Sequence, residues 1–342
     1  MESNEGRADI FVNSFINGTN WEDEVTAIDR MAKLTKEDIV AFADKYLKED
    51  NYAVVYKKQG KDPNEKKMTK PEITPIVSNR DVASPFLTSI QENAVKPIEP
   101  VFLDFKKDMS QLTAKSDIPV LYKQNTTNDL FQLIYVFDMG NNNDKALGTA
   151  FDYLEYLGTS DMTPEELKSE FYRLACTFYV SPGNERTYVV LSGLNENMPA
   201  AMQLFEKLLA DAQANKEAYN NLVGDILKAR ADAKLNQGQN FSRLMNYAMY
   251  GPKSPATNLL TEAELASMNP QELVDRIHNQ NNYKHRILYY GPSSSKDLLA
   301  TIDQYHQVPA TLKDIPAGNE FSYLETPATK VLVAPYEAKQ IY

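Results

Sequence analysis

The stretch Gly148-Thr149-Ala150-Phe151-Asp152-Tyr153-Leu154-Glu155-Tyr156-Leu157-Gly158-Thr159 sorts its residues by helical period. Leu147, Ala150, Phe151 and Leu154 recur as one apolar stripe, while Asp152, Glu155 and Tyr156 fall at i, i+3 and i+4 on the adjoining polar face. Such a helix needs an apolar surface to cover, and its neighbours in sequence supply strands. Residues 118–122 and 130–137 read as strands, 144–157 and 164–174 as helices. Residues 176–180 and 186–192 read as a hairpin turning through Pro182-Gly183-Asn184-Glu185. Two further helical stripes follow, Leu204, Phe205, Leu208, Leu209 and Leu222, Val223, Ile226, Leu227, before a strand over 285–290. The order is that of an α+β domain.

Upstream, Thr35 offers an N-cap with Asp38 at its N3 position, and Ile39, Phe42, Ala43, Tyr46 and Leu47 continue at helical spacing. Residues 52–56 read as the strand that follows. From 60 to 105 the pattern dissolves into Pro63, Pro71, Pro75, Pro85, Pro97 and Pro100 among charged residues, which predicts an extended linker. Sliding the sequence by 234 positions lays Leu34-Thr35-Lys36-Glu37-Asp38-Ile39-Val40 on Met268-Asn269-Pro270-Gln271-Glu272-Leu273-Val274. Without a gap it also lays Ala53-Val54-Val55-Tyr56 on Ile287-Leu288-Tyr289-Tyr290. The repeat predicts four segments: 1–58 as the end of one domain, 59–105 as the linker, 106–318 as a complete domain, and 319–342 as the start of another. Lys330-Val331-Leu332-Val333-Ala334 would be the first strand of that last one, so both ends read as cuts in a longer chain.

Composition limits what such a chain does. Of 342 residues, 42% are hydrophobic and 24% charged, values of a globular protein. A net charge of -11 repels phosphate backbones, and no basic stripe interleaved with aromatics argues otherwise, so nucleic acid is not an expected partner. No apolar run approaches the roughly 18–20 residues of a membrane span. The first residues are acidic and polar, unlike a signal peptide, and the compartment stays open between exported and internal. One cysteine, Cys176, excludes an intrachain disulfide framework.

The usual catalytic patterns are missing. Three histidines, His278, His285 and His306, sit in a helix, at a strand start and after a helix, a spacing that fits no imidazole metal site. Locally bonded or solvated roles are expected for them. No G-x-S-x-G elbow and no phosphate loop occurs, and Cys176 lies inside a strand where burial keeps a thiol inert.

The helix quoted first resembles the metal-binding helix of the pitrilysin/insulinase-type peptidases, in which G-[LT]-A-x-[HFL]-L-E-H runs into an apolar residue and Gly-Thr. There H-x-x-E-H supplies two zinc ligands and a general base. Laid on that pattern, Asp152 replaces the first histidine, Glu155 keeps the place of the base, and Tyr156 replaces the second histidine. The third ligand, a glutamate on a later helix, has Asp225 as its nearest match. These four are degenerate active-site positions, with no catalytic residue and no metal ligand among them, and no cofactor is expected in this chain. Leu34 to Lys57 and Arg186-Thr187-Tyr188-Val189-Val190-Leu191-Ser192-Gly193-Leu194 are similar to other stretches of the family. The family's substrate-holding arginine and tyrosine, seven residues apart, have only an imperfect counterpart in Tyr172, Arg173 and Tyr179, which read as packing and surface residues.

The resemblance implies a mainly antiparallel sheet with helices packed on one face, repeated in a parent protein whose zinc lies in another domain. It implies a non-catalytic portion of a zinc metalloendopeptidase, contributing chamber wall and peptide-binding surface. The partners would be a peptide or unfolded protein substrate and the catalytic half of the same polypeptide. A second reading from another class is a catalytically inactive scaffold or protein-binding subunit on the same fold.

Overall fold

A computed structural model describes residues 4–50, 52–57, 60, 69–75, 82–334 and 336, and the chain divides into two units at Lys96 and Pro97. The N-terminal unit holds helices α1 (Asn4–Asn17), α2 (Trp21–Val25), α3 (Ala27–Met31), α4 (Lys36–Tyr46) and α5 (Pro85–Gln91). Asn20 caps α2, and Thr35 and Asp38 close a reciprocal capping box on α4. The proposed linker is not uniformly extended. Ser84 caps α5 with Pro85 in its first turn, because a proline at that position surrenders an N–H that no helix would use. Residues 69–75 and 93–103 carry no regular structure, and 58, 59, 61–68 and 76–81 lie outside the described residues.

The C-terminal unit contains β1 (Ser110–Ala114), β2 (Ile118–Gln124), β3 (Leu130–Phe137), α6 (Leu147–Leu154), α7 (Pro164–Arg173), β4 (Cys176–Pro182) and β5 (Thr187–Leu194). After them come α8 (Met198–Asp211), α9 (Lys216–Lys234), α10 (Gln237–Tyr250), α11 (Glu262–Ser267), α12 (Pro270–Asn279), β6 (Arg286–Gly291) and α13 (Ser295–Tyr305). The strands form one six-stranded sheet in the order β1-β2-β6-β3-β5-β4, antiparallel except where β6 runs parallel to β2. The expected α+β fold, mainly antiparallel with helices on one face, is the fold observed. α6, α7 and α8 pack on β4 and β5, α13 on β1, and α12 on α6 and α8.

Alternation along the strands decides the two faces of the sheet. Ile118, Val120, Tyr122, Phe131, Leu133, Tyr135, Phe137, Val189, Leu191, Ile287 and Tyr289 enter the core beneath the helices. The opposite face carries a row fixed by strand register: Tyr179 on β4, Val190 on β5, Ile134 on β3, Leu288 on β6 and Leu121 on β2. Val190 is buried at 2% exposure, and the other four lie outside the core.

The repeat holds for its helix and fails for its strand. Thr35 caps α4 and Asn269 caps α12 in the register that the 234-residue shift predicts. Leu273 and Val274 are then buried, whereas their counterparts Ile39 and Val40 are 58% and 48% exposed. Residues 52–57 form no strand, and neither do 330–334. A strand exists only as part of a ladder; β6 lies between β2 and β3, and neither predicted strand has a paired neighbour among the described residues.

Candidate functional site

Helix α6 buries Leu147, Ala150, Phe151, Tyr153 and Leu154 and leaves Asp152 exposed. Tyr153 adds an anchor that periodicity did not single out: its Oη donates to the Asn215 carbonyl at 2.5 Å and accepts from the Asn215 N–H at 2.7 Å. The helix expected over 144–157 runs only from Leu147 to Leu154. Tyr156 and Leu157 donate instead to Tyr153 and Leu154, three residues back, at 3.0 and 3.1 Å. The chain must then turn sharply at Gly158-Thr159. Thr159 donates to the Met162 carbonyl at 2.9 Å. A Cβ on Gly158 would lie 2.3 Å from that carbonyl oxygen, so glycine is required by close backbone approach.

This early stop alters the inferred site. Glu155 is the C-cap and Tyr156 lies beyond it, so of the three polar positions only Asp152 sits inside the helix. Glu155 is exposed, Tyr156 is 43% exposed, and Asp225 is exposed on α9. Although Asp152 is exposed as a residue, protein packed about its carboxyl raises its pKa above the ordinary 3.8, and the negative charge of Glu155 adds to the rise. Among the described residues no three His, Cys, Asp or Glu side chains gather as a metal site. Zinc asks for converging, preferably imidazole or thiolate, donors. The set Asp152, Tyr156 and Asp225 supplies none of that kind and does not fit the ion.

Glu155→Gln should therefore leave stability within about 0.5 kcal/mol, as for most exposed substitutions. It should also lower the pKa of Asp152 toward its ordinary value by removing a neighbouring charge. Urea unfolding and a carboxyl titration by NMR check the two halves. A large stability loss, or an unchanged Asp152, would contradict this account of the helix end.

Beside α6 the structure opens an apolar cavity of about 330 Å³, bounded by Phe151, Leu154, Leu167, Phe171 and Phe178, with Glu155 also lining it. Its floor is β4, which pairs only with β5 and so forms one edge of the sheet. The bonds Gly183 N–H to Arg186 O, 2.7 Å, and Leu194 N–H to Ala175 O, 3.3 Å, set the phase of this antiparallel pair. Residues 177, 179 and 181 bond β5, and the main-chain groups of Cys176, Phe178 and Val180 point outward. Cys176 is buried, and burial raises its thiol pKa, consistent with an inert packing residue. Tyr172 is 88% exposed and Tyr179 52% exposed, while Arg173 holds Glu170 through two guanidinium bonds.

The histidines depart from expectation. His278 is half-buried with Nε2 3.1 Å from the Ala212 carbonyl, but His285 and His306 are buried and meet, Nε2 to Nε2, at 2.9 Å. Sequence spacing separated them because β6 and α13 lie between, and those two elements fold back so that their outer ends touch. His306 Nδ1 also lies 2.6 Å from Oε1 of the buried Glu206. Glu206 stands within the apolar stripe of α8, and a charge in that place was the one signal in the sequence that could have found this cluster.

No protein-family model matches the chain, and no curated protein matches it by sequence. Solved structures do match in fold. The periplasmic protease PqqL of Escherichia coli superposes with a TM-score of 0.56 at 15% identity over 87% of this chain and 31% of its own length. The peptidase M16 inactive domain from Pseudomonas fluorescens gives 0.52 at 17% identity, over 64% of this chain and 54% of that one. The ferredoxin protease FusC, solved in complex with Arabidopsis ferredoxin, gives 0.55 at 10% identity, over 94% and 38%. The fold is thus that of M16-type peptidases, a class that includes an inactive domain, and the chain spans about a third to a half of these structures.

Proposed function

We propose that this chain is the non-catalytic portion of a zinc metalloendopeptidase of the pitrilysin/insulinase type. It forms chamber wall and peptide-binding surface, while a catalytic domain outside this chain holds the zinc and cuts. The observation that supports this is the apolar row across the helix-free face of the sheet, ending at the unpaired edge of β4. An unfolded polypeptide would add to the sheet through the outward N–H and C=O groups of Cys176, Phe178 and Val180. Its side chains would alternate between the apolar cavity beside α6 and the face carrying Tyr179. Such binding reads backbone and apolar character rather than one sequence, as a peptidase of unfolded chains requires. The complex of the ferredoxin protease with ferredoxin offers a precedent for a protein partner in this fold.

The domain scheme belongs to the same proposal. Residues 1–58 close a preceding domain, 59–105 link, 106–318 form a complete non-catalytic domain, and 319–342 lead into the next. The shared cap register of α4 and α12 supports it, as does the exposed face of α4 where α12 is buried.

The test is binding of an extended, unfolded apolar peptide to the purified chain. Amide exchange should slow at Cys176, Phe178 and Val180. Tyr179→Ala should weaken binding by about tenfold, the scale of a contributing aromatic contact. Protection confined to other strands, with Tyr179→Ala binding as tightly as the parent chain, would sink the proposal.

A further inference from the structure

Glu206 of α8 is 1% exposed and takes four hydrogen bonds. Oε1 accepts from Tyr135 Oη at 3.0 Å and from His306 Nδ1 at 2.6 Å; Oε2 accepts from Asn281 Nδ2 at 2.9 Å and from the Gln307 N–H at 3.0 Å. Beyond His306 the chain continues through Nε2 to His285 Nε2, and His285 Nδ1 lies 2.7 Å from the Tyr283 carbonyl.

Hydrogen counting fixes how many protons the trio holds. A carbonyl only accepts, so His285 Nδ1 carries a hydrogen. The contact between the two Nε2 atoms needs one more, and the contact between Nδ1 and Oε1 needs a third. Two neutral imidazoles beside a carboxylate hold only two. The third makes the trio neutral in total, whereas without it a buried carboxylate would stand with no compensating charge. Tyr135, Asn281 and the Gln307 N–H already donate to Glu206, which favours its ionised form and places the third hydrogen on His306, so that His306 donates on both sides.

His285 immediately precedes β6 and His306 immediately follows α13, 21 residues later, so their contact closes the β6–α13 segment on itself. Glu206 ties that closure to α8, and Tyr135 ties it to β3. We infer that one proton, held on His306 between Glu206 and His285, latches the C-terminal end of α13 onto α8 and β3, and that a second proton on the pair releases it. The release follows from geometry, since two imidazolium rings would then face each other at 2.9 Å with no acceptor between them.

The other ionisable groups facing the cluster are Tyr135 from β3 and, across an adjoining cavity of about 470 Å³, Lys115 and His278. Lys115 donates its ammonium to the Asp303 carbonyl at 2.8 Å, and its positive charge opposes further protonation. Burial, and then the neighbouring His306, lower the His285 pKa from its ordinary 6.5 to about 4. The folded chain thus binds fewer protons than the unfolded one between those values, so stability falls as pH drops through that window.

The test uses the intact chain with nitrogen-15 in its histidines, of which it has three. In the folded chain both ring nitrogens of His306 should carry hydrogen, and only Nδ1 of His285. Between pH 6.5 and 4 the unfolding constant should rise by up to about tenfold per pH unit, one proton's worth. His285→Gln, which keeps an acceptor for His306, should lose that slope. A His306 ring with one hydrogen in the folded chain, or a His285→Gln chain with the parent's pH slope, would overturn the latch.

Discussion

Phe151→Ala should destabilise the C-terminal unit by about 3–5 kcal/mol, the usual loss for an aromatic removed from a core. The ring is 3% exposed and belongs to the core cluster that α6 shares with β4, α8 and α12. It also walls the cavity beside β4, so part of the void left by alanine would merge with existing space rather than collapse. Urea unfolding should show a lower midpoint at unchanged slope, since the same surface is exposed on unfolding. The contrast with Glu155→Gln, on the same short stretch, is the informative part: one helix end carries packing on one side and a solvated carboxylate on the other. A Phe151→Ala loss below about 1 kcal/mol would mean that α6 is not anchored by its stripe.

Glu206→Ala should be as damaging, at about 3–5 kcal/mol, for a different reason. Alanine removes the acceptor of four hydrogen bonds, leaving Tyr135, Asn281, the Gln307 N–H and a protonated His306 without their partner in a buried place. The Asn281 Oδ1 has no hydrogen-bond partner, but this one amide oxygen cannot replace a carboxylate that accepts four bonds. Denaturant unfolding at neutral pH measures the loss. A chain within about 1 kcal/mol of the parent would show that the carboxylate's bonds are easily replaced by water.

Much of the fold was legible because its signals are local. Thr163 and Glu166 bracket the start of α7 with Pro164 in its first turn, and the Pro182-Gly183-Asn184-Glu185 turn separates β4 from β5. Such devices act between residues a few positions apart and need no distant partner. The errors also have local causes. The prolines of 60–105 predicted a linker without helix, yet Pro85 starts one because its ring preorganises the first turn after the Ser84 cap. Residues 52–56 have strand composition, but composition cannot provide the neighbouring strand that pairing requires.

The sequence by itself determined that α6 carries no imidazole or thiolate, since no fold changes a residue's donor atoms. It determined the α+β character too, through periods of 2 and 3.6 that hydrophobic burial enforces. Only the tertiary structure decided where the helix end points, which strand is the edge, and which side chains form a row across the open face. That row depends on the register of strands distant in sequence. The Glu206–His306–His285 cluster is the extreme case, with its carboxylate and its central imidazole 100 residues apart. Contacts of that kind carry no sequence period, because they exist only once the hydrophobic core has brought α8, β3, β6 and α13 together and excluded water from the gap between them.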